Sequence, residues 1–284
     1  MKHVKGVCLF TVVILLSFLF SCGKKDKMAK ENEISFDSIR IEASQHLFND
    51  TSKPNCNLDM RFTFPVKYSN KEVLTKIQQK FIESFLGEDY KELTAQNAAE
   101  QFKKDYLEEY KNREKEYLED QERKAEDEII PSRWYSYYKS GNIDIYYNKA
   151  NILSCIFFID SFYGGNNSEK NFIYVTFDLT NGNTLKEEDL FIDNYEDELN
   201  KLIFNTLAEK NQAKDEHELI QMGYFGATEL ASNENFIIDE KGITYLYNER
   251  EIASELLGSI QVFLPYEKLE SILKEGTLVS QFIN

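Results

Sequence analysis

Acid–base chemistry in this chain would have to begin from two histidines, His46 and His217, once the N-terminal leader is set aside. His217 lies in the run Asp215-Glu216-His217-Glu218 and has no second histidine one helical turn away, so no zinc-protease helix can be written. A Ser-His-Asp triad would need one of these two imidazoles, and nothing beside either of them argues for it. No Cys-x-x-Cys pair, phosphate loop, dinucleotide fingerprint or Gly-x-Ser-x-Gly elbow occurs. The 49 carboxylates would supply a glycosidase pair only if two of them stood about 5–9 Å apart across a substrate, and the sequence gives no such placement. The acidic run Glu187-Glu188-Asp189 lacks the spaced oxygens and central glycine of an EF-hand loop, and is read as a solvated helix start rather than a calcium site. The expectation is a protein without catalytic residues, metal or cofactor.

Two other features have the composition of a site. The stretch FYGGNNSEKNF, residues 162–172, runs an aromatic strand into two glycines and two asparagines before a second aromatic strand. Tyr163, Gly164, Gly165, Asn166 and Asn167 are therefore the candidate ligand loop, weighed against a plain hairpin corner in which glycine and asparagine supply left-handed backbone. Cys56 and Cys155 lie in apolar, strand-like surroundings and are either a disulfide or two buried free thiols.

The N-terminus addresses location. Lys2 and Lys5 precede an apolar run over residues 7–20, the length of a signal sequence and short for a membrane span, which needs about 20 residues. The run ends in Leu19-Phe20-Ser21-Cys22-Gly23, the pattern of a lipoprotein signal peptide. Cleavage after Ser21 would leave a lipidated Cys22 as the first residue and the membrane anchor, with 22–33 as a polar tether. Gly23 in place of an aspartate leans toward the outer membrane, with the face left open. Loss of the leader removes two lysines from a chain whose net charge is already −16. Such a body repels nucleic acid phosphates and attracts basic proteins.

Periodicity outlines the elements that would hold these residues. Residues 34–48 read as a strand. Residues 56–64 alternate, with Cys56, Leu58, Met60, Phe62 and Phe64 on one side. Leu74, Ile77, Phe81 and Phe85 make one stripe of a helix over 71–86, stopped by Gly87. The charged stretch 88–128 is one or two helices, and its stripe Phe102, Tyr106, Tyr110 and Tyr117 is expected to dock on a sheet. Strands follow at 143–147, 152–163 and 172–178, with a short capped turn at 186–191 and a helix at 195–210. A hairpin at 236–247, a strand at 259–264 and a helix at 265–273 complete the chain. The clustering of hairpins with helices between predicts an α+β fold, mainly antiparallel sheets with packed helices, in two subdomains: 34–150 and 151–284.

Two blocks then carry a resemblance. Residues 151–191, NILSCIFFIDSFYGGNNSEKNFIYVTFDLTNGNTLKEEDLF, and residues 236–273, FIIDEKGITYLYNEREIASELLGSIQVFLPYEKLESIL, resemble the extracellular domain pair of the lysozyme-sensing anti-sigma-V factor. The same pair precedes certain peptidoglycan deacetylase domains and occurs alone in Bacteroidetes-type lipoproteins. The matching residues are Tyr163, Gly164-Gly165, Asp178-Leu179, Gly182 and Asp189-Leu190-Phe191, then the Gly-Ile arm and Gly-Ser-Ile-x-Val-x-Leu-Pro-Tyr. Asn166-Asn167 stands where the family carries Ala-His, which argues against a general base or metal ligand there. The resemblance implies a two-part α+β body. With neither the signalling helix nor the deacetylase domain of those relatives expected, it implies a non-catalytic envelope lipoprotein binding a lysozyme-like protein or peptidoglycan glycan. The alternatives are a structural or assembly partner of other envelope proteins, or a glycan hydrolase.

Overall fold

The computed structural model describes residues 29–126, 128–225 and 230–283. The expected signal peptide and Cys22 lie outside them. Among the described residues no helix is long and apolar enough to cross a membrane.

The alternation read at 56–64 builds the first layer. Strands β1 (Ser35–His46), β2 (Asn55–Lys67), β3 (Tyr137–Lys149), β4 (Ile152–Tyr163) and β5 (Glu169–Asp178) form one sheet in chain order. Because side chains alternate across a strand, Cys56, Leu58, Met60 and Phe62 all turn to one face, where each is almost fully buried. Helices α1 (Lys71–Leu86) and α2 (Ala95–Arg123) cover that face. Asn70 starts α1 by accepting from the amides of Glu72 and Val73, and Gly87, at φ 123°, ends it. The stripe meets the sheet as expected: Phe81 lies 5.2 Å from Phe157 and 5.6 Å from Phe177, and Phe85 stacks on Phe62 at 5.7 Å. Phe102, Tyr106 and Tyr110 of α2 are buried in the same core. The fold is α+β, and the sheet is mixed: β2 and β3 run parallel, the other neighbours antiparallel. The helical crossover between β2 and β3 permits the parallel pair, which no hairpin could connect.

The second layer is a three-stranded antiparallel sheet of β6 (Phe236–Ile238), β7 (Gly242–Tyr247) and β8 (Ile260–Pro265). Its outer side packs with α4 (Glu196–Asn211) and with the short helices α3 (Glu187–Leu190), α5 (Glu216–Gln221) and α6 (Tyr266–Leu269). Its other side lies on β4 and β5, where Ile237 and Leu246 meet Tyr174, Ile156 and Phe172. Polar bonds join the two sheets. Ser154 Oγ donates to the Ile238 carbonyl at 2.7 Å, and Asn235 and Asn248 accept from the Tyr174 and Phe172 amides.

One expectation is corrected here, and the alternative left open for the two cysteines is decided. The boundary at 150 falls in the β3–β4 turn, inside a sheet. Ala150 and Asn151, at φ 56° and 62°, make a tight reversal between strands that pair along their length. The first core draws on residues up to Leu179 and the second mainly on Leu190 onward, so the packing divides near 180–190. Cys56 and Cys155 are both buried free thiols. Cys56 pairs with Tyr137 and Cys155 with Ile145, eight residues further along β3 and so about 26 Å away, where a bridge needs Cα atoms within about 7 Å.

Candidate functional site

The candidate loop begins where β4 leaves the sheet. Gly164 has φ 85°, and a Cβ there would lie 2.2 Å from the Trp134 carbonyl oxygen. The chain passes so close to that carbonyl that only glycine fits. Gly165, at φ 92°, faces open space, so its demand is conformational alone. Arg133 Nη2 donates to the Asn166 carbonyl at 2.7 Å, and its guanidinium sits 6.0 Å from the Phe162 ring. With its amide oriented to suit both neighbours, Asn167 accepts from Arg250 Nη2 at 2.9 Å and donates to the Asn166 carbonyl at 3.0 Å. The loop is thereby tied to the segment before β3 and to the loop after β7.

Beside it, on the sheet face away from α1 and α2, an open cleft of about 420 Å³ is lined by residues of β2, β3, β4 and the loop. Its floor follows from register. Asn57 lies beside Tyr138 in the parallel pair, and Tyr138 lies opposite Phe162 in the antiparallel one. The two rings stack 5.8 Å apart at 22°. Around them stand Asn55, Arg133, Ser136 and Ser168. Asn57 Oδ1 accepts from Ser44 Oγ at 2.9 Å and Asn55 Nδ2 at 3.2 Å, and Tyr138 donates to Asp160 at 3.1 Å. The lining thus combines ring faces with amides, hydroxyls and one guanidinium, and the Asp160 carboxylate holds the Tyr138 hydroxyl of its floor.

Of the sequence candidates, Asn166 lines this cleft, while Gly164 and Gly165 shape the turn. Tyr163 turns to the opposite side of the sheet, edge-on to Tyr137 at 5.3 Å with Lys139 near its hydroxyl. Tyr138 and Asn57 went unrecognised; their only sequence signal is the alternation of β2 and β3, which sets the face but not the neighbours.

The histidines do not converge on a site. His46 Nδ1 meets the Lys53 carbonyl at 2.8 Å and His217 Nε2 meets Gln221 at 2.8 Å. Among the described residues no cluster of three histidine, cysteine or acidic groups could hold a metal. Asp178 and Asp189 fix turns around a second cavity of about 510 Å³: Asp178 accepts from Thr180 and Asn181, and Asp189 from the Lys186 amide. The acidic run differs from its reading at one residue. Glu187 is buried and accepts from Tyr195 at 3.1 Å and Ser232 at 2.9 Å, while its Oε1 and the Tyr245 hydroxyl lack partners. Burial pushes this carboxyl above the usual carboxylate range, against the pull of its hydroxyl neighbours.

Comparison with known proteins gives a partial family match and a fold. Residues 188–267 match the family described as "Protein of unknown function (DUF3298)". A crystal structure of a DUF3298 family member from Bacteroides fragilis is 29% identical, with a TM-score of 0.83 over 89% of this chain and 99% of that one. A DUF3298 family protein from Pseudomonas aeruginosa, 10% identical, shares the fold at a TM-score of 0.57 over 85% of this chain and 95% of that one. No curated protein matches the chain.

Proposed function

We propose that this protein is a non-catalytic lipoprotein of the cell envelope that binds a cell-wall glycan in the cleft beside the 163–168 loop. The observation that carries this reading is the row Asn57–Tyr138–Phe162, an aromatic floor edged by amides. A sugar ring has an apolar face and a rim of hydroxyls. Stacked rings suit the face, and Asn55, Asn57, Arg133 and the hydroxyls of Ser136 and Ser168 suit the rim. The Leu-Phe-Ser-Cys leader motif and the resemblance to the anti-sigma-V domain pair support anchoring at Cys22 and an envelope location.

Calorimetric titration of the detergent-solubilised full-length protein with soluble peptidoglycan fragments tests the reading. Saturable binding is expected, and Tyr138→Ala should weaken it about tenfold, the order of one lost aromatic contact, with little change in Tm. Absence of binding heat, or equal binding by the variant, removes the cleft from consideration. The acid excess of the chain supports a second reading, a basic protein partner such as lysozyme. Binding that is lost on moving from low to high salt and does not respond to Tyr138→Ala would favour that reading.

A further inference from the structure

The anchor segment enters the body at the end of the sheet opposite the cleft. Residues 30–32 dock on the β3–β4 turn: the Asn32 side chain donates to Asn148 Oδ1 at 3.0 Å and the Ile152 carbonyl at 2.8 Å, and accepts from the Asn151 amide at 2.8 Å. The Asn32 amide donates to the Asn148 carbonyl at 3.2 Å, the Ala150 amide donates to the Lys30 carbonyl at 2.8 Å, and Lys149 pairs with Glu31. The chain then passes through buried Ile34 directly into β1.

From this end β1 and β4 run in the same direction. β1 leads to the tip at 47–54, and β4 runs from Ile152 to Tyr163 and the candidate loop. The length of β4, about 36 Å at the usual rise per residue, separates the docked segment from the loop. From Cys22 to Lys30 a fully extended chain reaches at most about 28 Å.

We infer that the protein stands on the membrane with its β3–β4 turn toward the bilayer and the cleft at its membrane-distal end, held upright by the Asn32 latch. The inference rests on the proposed lipid anchor at Cys22. The tether is long enough to reach the membrane from the turn, while the docked segment removes the slack that would let the body roll over. The cleft is then offered to a polymer standing off the bilayer, not to the head groups of the anchoring membrane.

The experiment places one reporter thiol at each end of the full-length lipidated protein. Lys71→Cys, at the start of α1, marks the turn end, and Thr51→Cys marks the β1–β2 tip; both positions are exposed, and the native Cys56 and Cys155 are buried. Each variant is labelled with a donor dye and reconstituted into vesicles carrying an acceptor on the lipid head group. Energy transfer should be several-fold greater from residue 71 than from residue 51. Equal or reversed transfer in a protein that still incorporates labelled fatty acid would overturn the orientation and leave the anchor standing. If Cys22→Ala still incorporates fatty acid and floats with membranes, the anchor reading fails and the orientation with it. Asn32→Ala should narrow the difference between the two positions without changing lipidation. An unchanged difference would overturn the latch.

Discussion

At the scale of single residues, the Gly-Gly pair divides into two positions with different physics. Gly164 is constrained both by φ 85° and by the Trp134 carbonyl, whereas Gly165 is constrained by φ 92° alone. Gly164→Ala should therefore cost more than the roughly 1–2 kcal/mol of left-handed strain that Gly165→Ala brings, measured as the difference in urea midpoints. Equal losses would mean that the Trp134 contact relaxes freely. Glu187 gives a pH signature. Its folded pKa is raised, so the folded state binds the proton more tightly than the unfolded chain, whose carboxyl titrates near 4.5. The contribution to stability is complete below that value and is lost as pH rises through the folded pKa. Glu187→Gln carries no charge at any pH, so its stability relative to the parent should increase between pH 4.5 and 8. A difference that stays flat across that range would contradict the burial argument. The negative charge of nearby Glu234 acts in the same direction. Neither behaviour could be read in advance: Glu-Glu-Asp looks like a solvated helix start, and only the packing of α3 against β7 and the 230–235 segment separates buried Glu187 from exposed Glu188.

At the scale of elements, local periodicity was most informative where one face of one element meets one core. The stripe in 71–86 gives the bounds of α1, and in the α2 stripe Phe102, Tyr106 and Tyr110 are buried in the same core while Tyr117 is half-buried. Phe81→Ala, which removes a ring in contact with Phe157 and Phe177, should cost about 3–5 kcal/mol by chemical denaturation, while truncating exposed Tyr146 should cost far less. The readings failed where a distant partner supplies the hydrogen bonds. The helix expected over 265–273 is one turn, because the Leu190 carbonyl takes the Lys274 amide and the Ile272 carbonyl takes the Ile192 amide. Those bonds hold residues 272–274 in a bridge to the 190–192 segment. The β5 strand likewise begins at Glu169, earlier than its apolar pattern suggests, because its ladder with β4 runs on through polar side chains.

At the scale of the whole molecule, the two sheets share an interface stitched by Ser154, Asn235 and Asn248, so the halves should unfold together. Ser154→Ala removes the donor to the Ile238 carbonyl and the acceptor for its amide, and should lower stability by about 1–3 kcal/mol while the transition stays single. A split into two melting steps would show that the interface does not couple the halves. What the sequence by itself determined were quantities carried by nearest neighbours along the chain: α1, the buried rows of β2 and α2, the α+β class and the glycine corner at 164–165. Beyond the hairpin at 236–247, the tertiary structure alone decided which strands are neighbours. The parallel register of β2 and β3 sets Asn57 beside Tyr138 and, together with the β3–β4 pairing, keeps Cys56 far from Cys155, while the β3–β4 pairing carries the sheet across the expected boundary at 150. Strand pairing joins residues far apart in the chain through backbone groups common to every amino acid, so side-chain patterns fix which face is buried but leave the partner strand to be chosen by the packing of the whole chain.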